Sequence, residues 1–213
     1  MSSLVPNVQA RESVALEQDL GRGFYGVVYR AQWGPRAVAV KALTSAADAT
    51  QKQMFLREAQ QLHRLRHAHI VAAVGLVRHP EPLLVLELLP LGALDDYVRS
   101  HQSELDTAVL LHFALQTARA LAFLEQHSMV HRDVAARNVL VADAHTVKLS
   151  DFGLARPAGY VHNTRSMLPV RWYPPEALSP GHIYSSKHDI WSWAGMANRR
   201  HARLLEGEKD DRA

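Results

Sequence analysis

The segment His131-Arg-Asp133-Val-Ala-Ala-Arg137-Asn138, followed by Asp151-Phe-Gly153, gathers two carboxylates, an amide and two guanidinium groups within a short stretch. Carboxylate and amide oxygens are hard donors of the kind magnesium takes. A carboxylate can also orient a hydroxyl and accept its proton during attack. Upstream lies Gly21-Arg-Gly23-Phe-Tyr-Gly26-Val-Val28, where missing side chains let backbone amides approach phosphate oxygens closely. A tight hairpin turn has the same composition, so that segment alone decides nothing. In Val38-Ala39-Val40-Lys41 the lysine ends an apolar run, placed either to hold phosphate oxygens or to stand exposed on a strand. Glu58 either pairs with that amine or is a solvated carboxylate.

Periodicity shows the elements that must position these groups. Residues Val14 to Leu43 read as three strands, two of them an antiparallel hairpin around the glycine-rich turn, with Gly34-Pro35 before the third. From Thr50 to Arg66 the spacing is helical, with Phe55, Ala59, Leu62 and Leu65 on one face. The run Pro82 to Leu88 is a short apolar strand, broken by Pro90 to Gly92. A second long helix is predicted over Thr107 to Gln126, with Leu110, Phe113, Ala114, Thr117, Leu121 and Leu124 on one face. After it come short, irregular segments up to about Ser186. A strand-rich third thus precedes a helix-rich remainder, with a hinge expected near Glu87 to Gly92.

Composition narrows the class. At 213 residues, 47% hydrophobic and 21% charged, the chain is long enough for a core and too apolar for wholesale disorder. It has no cysteine, which excludes a disulfide framework and a thiolate metal site. A net charge of +3, with no basic stripe carrying interleaved aromatics, argues against a nucleic-acid partner. The start lacks a signal-peptide pattern, and the apolar run Leu83 to Leu91 is too short to span a bilayer. The expectation is a soluble cytoplasmic protein without a membrane segment. His67-Ala-His69 has no evident third ligand and is expected to be structural.

In this order, the motifs resemble the protein kinase family over about residues 14 to 193. The resemblance implies ATP and Mg2+ as cofactors, with Asp133 accepting the substrate hydroxyl proton and Asn138 and Asp151 holding the metal. It places Lys41 on phosphate and Glu58 on Lys41. It also implies a nucleotide site of Leu20, Val28, Ala39 and Leu140, with Gly21, Gly23 and Gly26 over the phosphates and hinge groups from Glu87 to Leu89. Leu86 takes the gatekeeper position, and Leu62, Ala73, His131 and Phe152 the stack joining two lobes. The tripeptide Ala135-Ala136-Arg137 and the segment Pro169-Val-Arg-Trp172 resemble tyrosine kinases, so the implied partners are protein substrates with tyrosine, and Arg137 sits near the phenolic oxygen. Tyr160, nine residues before Pro169, resembles the activating phosphotyrosine of cytoplasmic tyrosine kinases, with Arg132 as its partner. Short matches are similar to the Src, Syk and Ack groups.

The implied fold is α+β: a small β-rich lobe over 13–88 and a mainly helical lobe over 89–196 that lacks its last helices. An N-terminal extension, 1–12, and a polar tail, 197–213, flank them. Three departures stand out. Pro174-Pro175-Glu176 replaces Ala-Pro-Glu, Ala194 replaces a usual glycine, and Arg199, Arg200 and Arg203 fall where an apolar helix should continue. These predict a frayed tail and a last helix whose Trp191 and Trp193 face water. The alternative reading is therefore a fragment that binds nucleotide or a partner without catalysis.

Overall fold

Alternating β-branched residues near the N-terminus build one antiparallel sheet, as the periodicity predicts. A computed structural model describes residues 14–22, 26–77, 81–161, 172–179 and 181–198. The chain divides into two compact units, Met1–Leu89 and Pro90–Ala213. The expectations for the extension 1–12, for Gly23, for Pro169 to Arg171 and for the tail beyond Asn198 lie outside the described residues.

In the first unit, strands β1 (Val14–Arg22), β2 (Gly26–Trp33), β3 (Arg36–Leu43), β4 (Ala73–Val77) and β5 (Leu83–Glu87) pair in the order β1-β2-β3-β5-β4. Gly34, at φ 57°, takes the left-handed turn between β2 and β3. One sheet face carries a buried apolar cluster of Val14, Ala31, Val38, Val40, Val77, Leu83 and Val85. The other face carries Val28 opposite Lys41 and Ala39 opposite Leu86. Helix α1 (Ala49–Arg64) starts at Asp48, whose side chain accepts from Gln51 N while its own N–H donates to the Gln51 side chain, a reciprocal cap. Phe55, Ala59 and Leu62 are buried along it, as the helical spacing requires.

The second unit is built on α3 (Thr107–Gln126), capped by Asp106 accepting from Val109 N at 2.8 Å. Its length matches the sequence reading, but its buried face includes a polar residue. Gln116 donates to His145 O at 2.6 Å and accepts from Val147 N at 2.8 Å, fastening α3 to a hairpin of β7 (Val139–Asp143) and β8 (Thr146–Leu149). By length and composition α3 is also long and apolar enough to cross a membrane. Here it packs on β8 and on the last helix, with Phe113, Ala120 and Leu124 buried. Strands β6 (Met129–Val130) and β9 (Arg156–Pro157) pair, and a short helix α2 (Leu94–Ser100) precedes α3.

Helix α4 (Ser186–Ala197) corrects one expectation. Trp193 is partly covered, and its Nε1–H donates to Ala114 O of α3 at 3.0 Å. Trp191 does face water, at 55% exposure.

Candidate active site

In the first unit, β3 and α1 bring the two ambiguous groups together. Lys41 Nζ lies 2.8 and 3.0 Å from the Glu58 carboxylate oxygens, with Lys41 6% and Glu58 1% exposed. Neither an exposed strand lysine nor a solvated carboxylate describes them. A buried ion pair persists only with excellent geometry, since both charges have left water. A carboxylate held on two hydrogen bonds fixes where the ammonium points.

The glycine-rich segment separates into two cases. At Gly26 an added Cβ would meet Ala42 O at 2.5 Å, so close passage of β3 alone excludes a side chain. At Gly21, paired with Val28, an added Cβ meets nothing within 4 Å, so packing does not explain that glycine. Of the remaining proposed nucleotide contacts in this unit, Leu20 is exposed, Ala39 and Leu89 are buried and Val28 is half-buried. Glu87 donates its backbone N–H to Ala72 O at 3.0 Å and accepts from Ala72 N at its carboxylate. Leu62 is buried and Ala73 half-buried within the same unit.

In the second unit, the loop between β6 and β7 is pinned from below by α4. The Asp189 carboxylate, 3% exposed, accepts from His131 N at 2.7 Å and Arg132 N at 2.8 Å. Burial pushes its carboxyl above the usual carboxylate range, opposed by His131 and these two amide donors. Arg132 holds a left-handed backbone at φ 69°, a strained state for a residue with a side chain. Its carbonyl accepts from the buried Tyr173 hydroxyl at 2.5 Å, whose phenol burial pushes well above the ordinary range. Three hydrogen bonds from two residues, Asp189 and Tyr173, thus fix the turn entering Asp133.

His131 is fully buried. Its Nδ1 accepts from Asp133 N at 3.3 Å, so Nε2 carries the proton and donates to Ser150 O at 2.9 Å. Its ring edge meets Phe152 at 4.7 Å between centroids. Ser150 returns its N–H and hydroxyl to Asn138 O at 2.8 and 2.9 Å. Asn138 Nδ2 donates to Asp133 O and to Asp133 Oδ2 at 2.8 and 2.7 Å. Arg137 Nη2 donates to the other Asp133 oxygen. Both oxygens of Asp133 are oriented by charge or amide donors, and its side chain keeps 13% exposure. Asp151, left-handed at φ 57°, follows directly on Ser150, and its Oδ1 faces Gly153 N at 3.4 Å. Leu140, the proposed floor of the nucleotide site, is half-buried on β7.

Tyr160 is half-buried rather than exposed. Arg132 lies 4.9 Å above its ring and Arg156 at 5.8 Å, and Tyr184 holds the backbone on both sides through Gly159 N and Tyr160 O. In the His67 pair, His67 Nδ1 accepts from His69 N at 3.1 Å, and burial, with His69 beside it, lowers the basicity of His67.

Asp189, Tyr173, Tyr184 and Ser150 escaped the sequence reading as site residues. Asp189 had one visible signal, a carboxylate opening an apolar helical run. The other three had none, since their partners lie far away along the chain.

Comparison with known proteins follows the same lines. Tyrosine-protein kinase HTK16 of Hydra vulgaris is 38% identical over 197 residues, covering 88% of this chain and 26% of that protein. Human protein-tyrosine kinase 6 is 37% identical over 202 residues, covering 91% and 44%. Mouse tyrosine-protein kinase TXK is 36% identical over 185 residues, covering 84% and 34%. The chain therefore spans less than half the length of these relatives. The pattern of protein tyrosine and serine/threonine kinases matches residues 14–197, and the chain belongs to that family.

Proposed function

We propose that this chain transfers the γ-phosphoryl group of ATP to tyrosine hydroxyls of proteins, in a magnesium-dependent reaction. The observation that carries the reading is the Asp133 carboxylate, fixed between Arg137 and Asn138 on a loop anchored by Asp189. In this reading Asp133 orients the phenolic O–H and takes its proton as the oxygen–phosphorus bond forms. The bond from the γ-phosphorus to the bridging oxygen breaks, and ADP leaves with that electron pair. Arg137 supplies positive charge beside the Asp133 carboxylate and the incoming phosphoryl group.

The donor set suits magnesium. Asn138 spends its Nδ2 on Asp133, which turns its amide oxygen away from that residue, and Asp151 adds a carboxylate. A hard cation held by one carboxylate, one amide oxygen and substrate phosphates is the ordinary magnesium arrangement. When bound, the ion neutralises charge on the phosphate oxygens. Lys41, steadied by Glu58, would hold the same phosphates. Leu20, Gly21, Gly23, Gly26, Val28, Ala39, Glu87, Leu89 and Leu140 would enclose the nucleotide.

Tyrosine as acceptor is supported by Ala135-Ala136-Arg137 and by the relatives, which are tyrosine kinases by name. Incubation with radiolabelled ATP and a mixed peptide pool, then phosphoamino-acid separation, is expected to give label on tyrosine. Label mainly on serine or threonine would overturn the acceptor assignment.

Tyr160 is the proposed autophosphorylation site. A phosphate there adds about two negative charges next to Arg132 and Arg156. Mass spectrometry of the ATP-treated protein should find Tyr160 modified. Labelling of other tyrosines with Tyr160 untouched would count against it.

A further inference from the structure

Arg132 is 3% exposed, so its guanidinium, charged at any working pH, has been taken out of water. Its Nη1 donates to Leu154 O at 3.3 Å. Its Nε and Nη2 are buried with no hydrogen-bond partner among the described residues. What faces the charge instead is aromatic. The guanidinium carbon lies 4.3 Å from the centre of the Tyr184 ring and 4.9 Å from that of Tyr160.

Of these two rings, Tyr184 is the anchored one. It is fully buried, its hydroxyl donates to Ala177 O at 3.3 Å, and Tyr173 meets it edge to face at 5.8 Å. The Tyr173 hydroxyl in turn holds Arg132 O, so one packed cluster steadies both the backbone and the side chain of the arginine. The Tyr184 main chain also holds the segment around Tyr160. Its N–H donates to Tyr160 O and its carbonyl accepts from Gly159 N, both at 2.9 Å.

We propose that Tyr184 is a positioning residue, whose buried ring holds the Arg132 guanidinium beside Tyr160 with its Nε and Nη2 donors unspent. The chemistry of an aromatic face suits this task. A carboxylate neighbour would neutralise the arginine, but it would occupy the same N–H groups that an incoming oxyanion needs. A ring attracts the cation through its quadrupole and leaves those donors free. Buried donors without an acceptor gain most when an oxygen reaches them. The proposal rests on the reading of Tyr160 as the modified residue, which makes that oxygen part of a phosphate on Tyr160. Filling the core would need only a side chain of suitable volume at 184, whereas positioning Arg132 needs the ring.

The test uses the 213-residue chain, labelled with nitrogen-15, and proton–nitrogen NMR of the arginine Nε–H groups. The Arg132 signal is assigned by its loss in Arg132→Lys. In the wild type it should exchange slowly with water and lie upfield, shifted by the ring current. Tyr184→Phe should keep both features, and Tyr184→Leu should move the signal among those of exposed arginines. The same proteins are then assayed for phosphotyrosine formation on a peptide, before and after autophosphorylation. Tyr184→Leu should cut the ratio of the two rates at least about fivefold. Tyr184→Phe should preserve the ratio, and Tyr184→Leu should add nothing in an Arg132→Met background. A wild-type Arg132 signal already among those of exposed arginines would overturn the proposal, even where Tyr184→Leu fails to fold. Unchanged signal and ratio in a folded Tyr184→Leu would overturn it too. A ratio of one in the wild type, with the Arg132 signal as expected, would overturn the Tyr160 reading while upholding the hold of Tyr184 on Arg132.

Discussion

Lys41→Met should lower ATP-dependent phosphotyrosine formation by at least about a thousandfold, because members of a catalytic unit act together. The same change should destabilise the first unit. It removes the ammonium facing a carboxylate that is 1% exposed, and breaking a buried pair from one side costs about 3–5 kcal/mol. Lost activity alone would therefore not separate chemistry from unfolding. The double variant Lys41→Met/Glu58→Leu does, since replacing both charges of a buried pair by apolar groups is often neutral or stabilising. It should melt near the wild-type temperature and still transfer no phosphate. Activity within tenfold of wild type in either variant would remove Lys41 from the site.

Asp189→Ala should be among the most destabilising single changes in the second unit. It strips the acceptor from two buried amides, His131 N and Arg132 N, each costing about 1–3 kcal/mol when left unmatched. Against a typical domain stability of about 5–15 kcal/mol this is a large fraction. It also releases Arg132 from its left-handed backbone, so Asp133 loses its fixed approach. Asp189→Asn keeps one acceptor and should fall between the two. The raised carboxyl adds a pH signature. A folded state that binds the proton more tightly than the unfolded chain gains stability as pH falls, and loses that gain as pH rises through the folded value. The stability gap between wild type and Asp189→Asn should therefore widen from neutral pH down toward the usual carboxylate range. Chemical denaturation at pH 7 and pH 5 checks both statements. An Asp189→Ala midpoint equal to wild type would show that the loop is held by something else.

What the sequence made legible was set by local periodicity and chemistry. The α3 boundaries, Thr107 to Gln126, follow from the apolar spacing and the Asp106 cap. Strands β2 and β3 follow from β-branched runs around a turn, and β5 from a short apolar run. Strand β4 was not legible, because Ala73-Val-Gly-Leu-Val is short, interrupted by glycine and shaped only by pairing with β5. The seven-residue α2 begins at Leu94, after an Ala93 that offers no side-chain cap, so nothing local announces it. Two-residue β6 and β9 exist only through each other. The site divides in the same way. Lys41 and Glu58 were visible as a pair but ambiguous as to burial, and only the α1 packing resolves them. The hold of Asp189 on His131, 58 residues earlier, is a long-range fact that no periodicity encodes.

The central claim is that Asp133 makes this chain a tyrosine-phosphorylating enzyme, and one assay addresses it most directly. Wild type and Asp133→Asn, both shown to be folded by circular dichroism, are incubated with ATP, Mg2+ and a tyrosine-bearing peptide. Product is then read with a phosphotyrosine-specific detector. The account predicts signal in the wild type that requires both ATP and Mg2+, and a fall of at least about a thousandfold in Asp133→Asn. Equal signal in the two proteins, or none in a folded wild type, would contradict it.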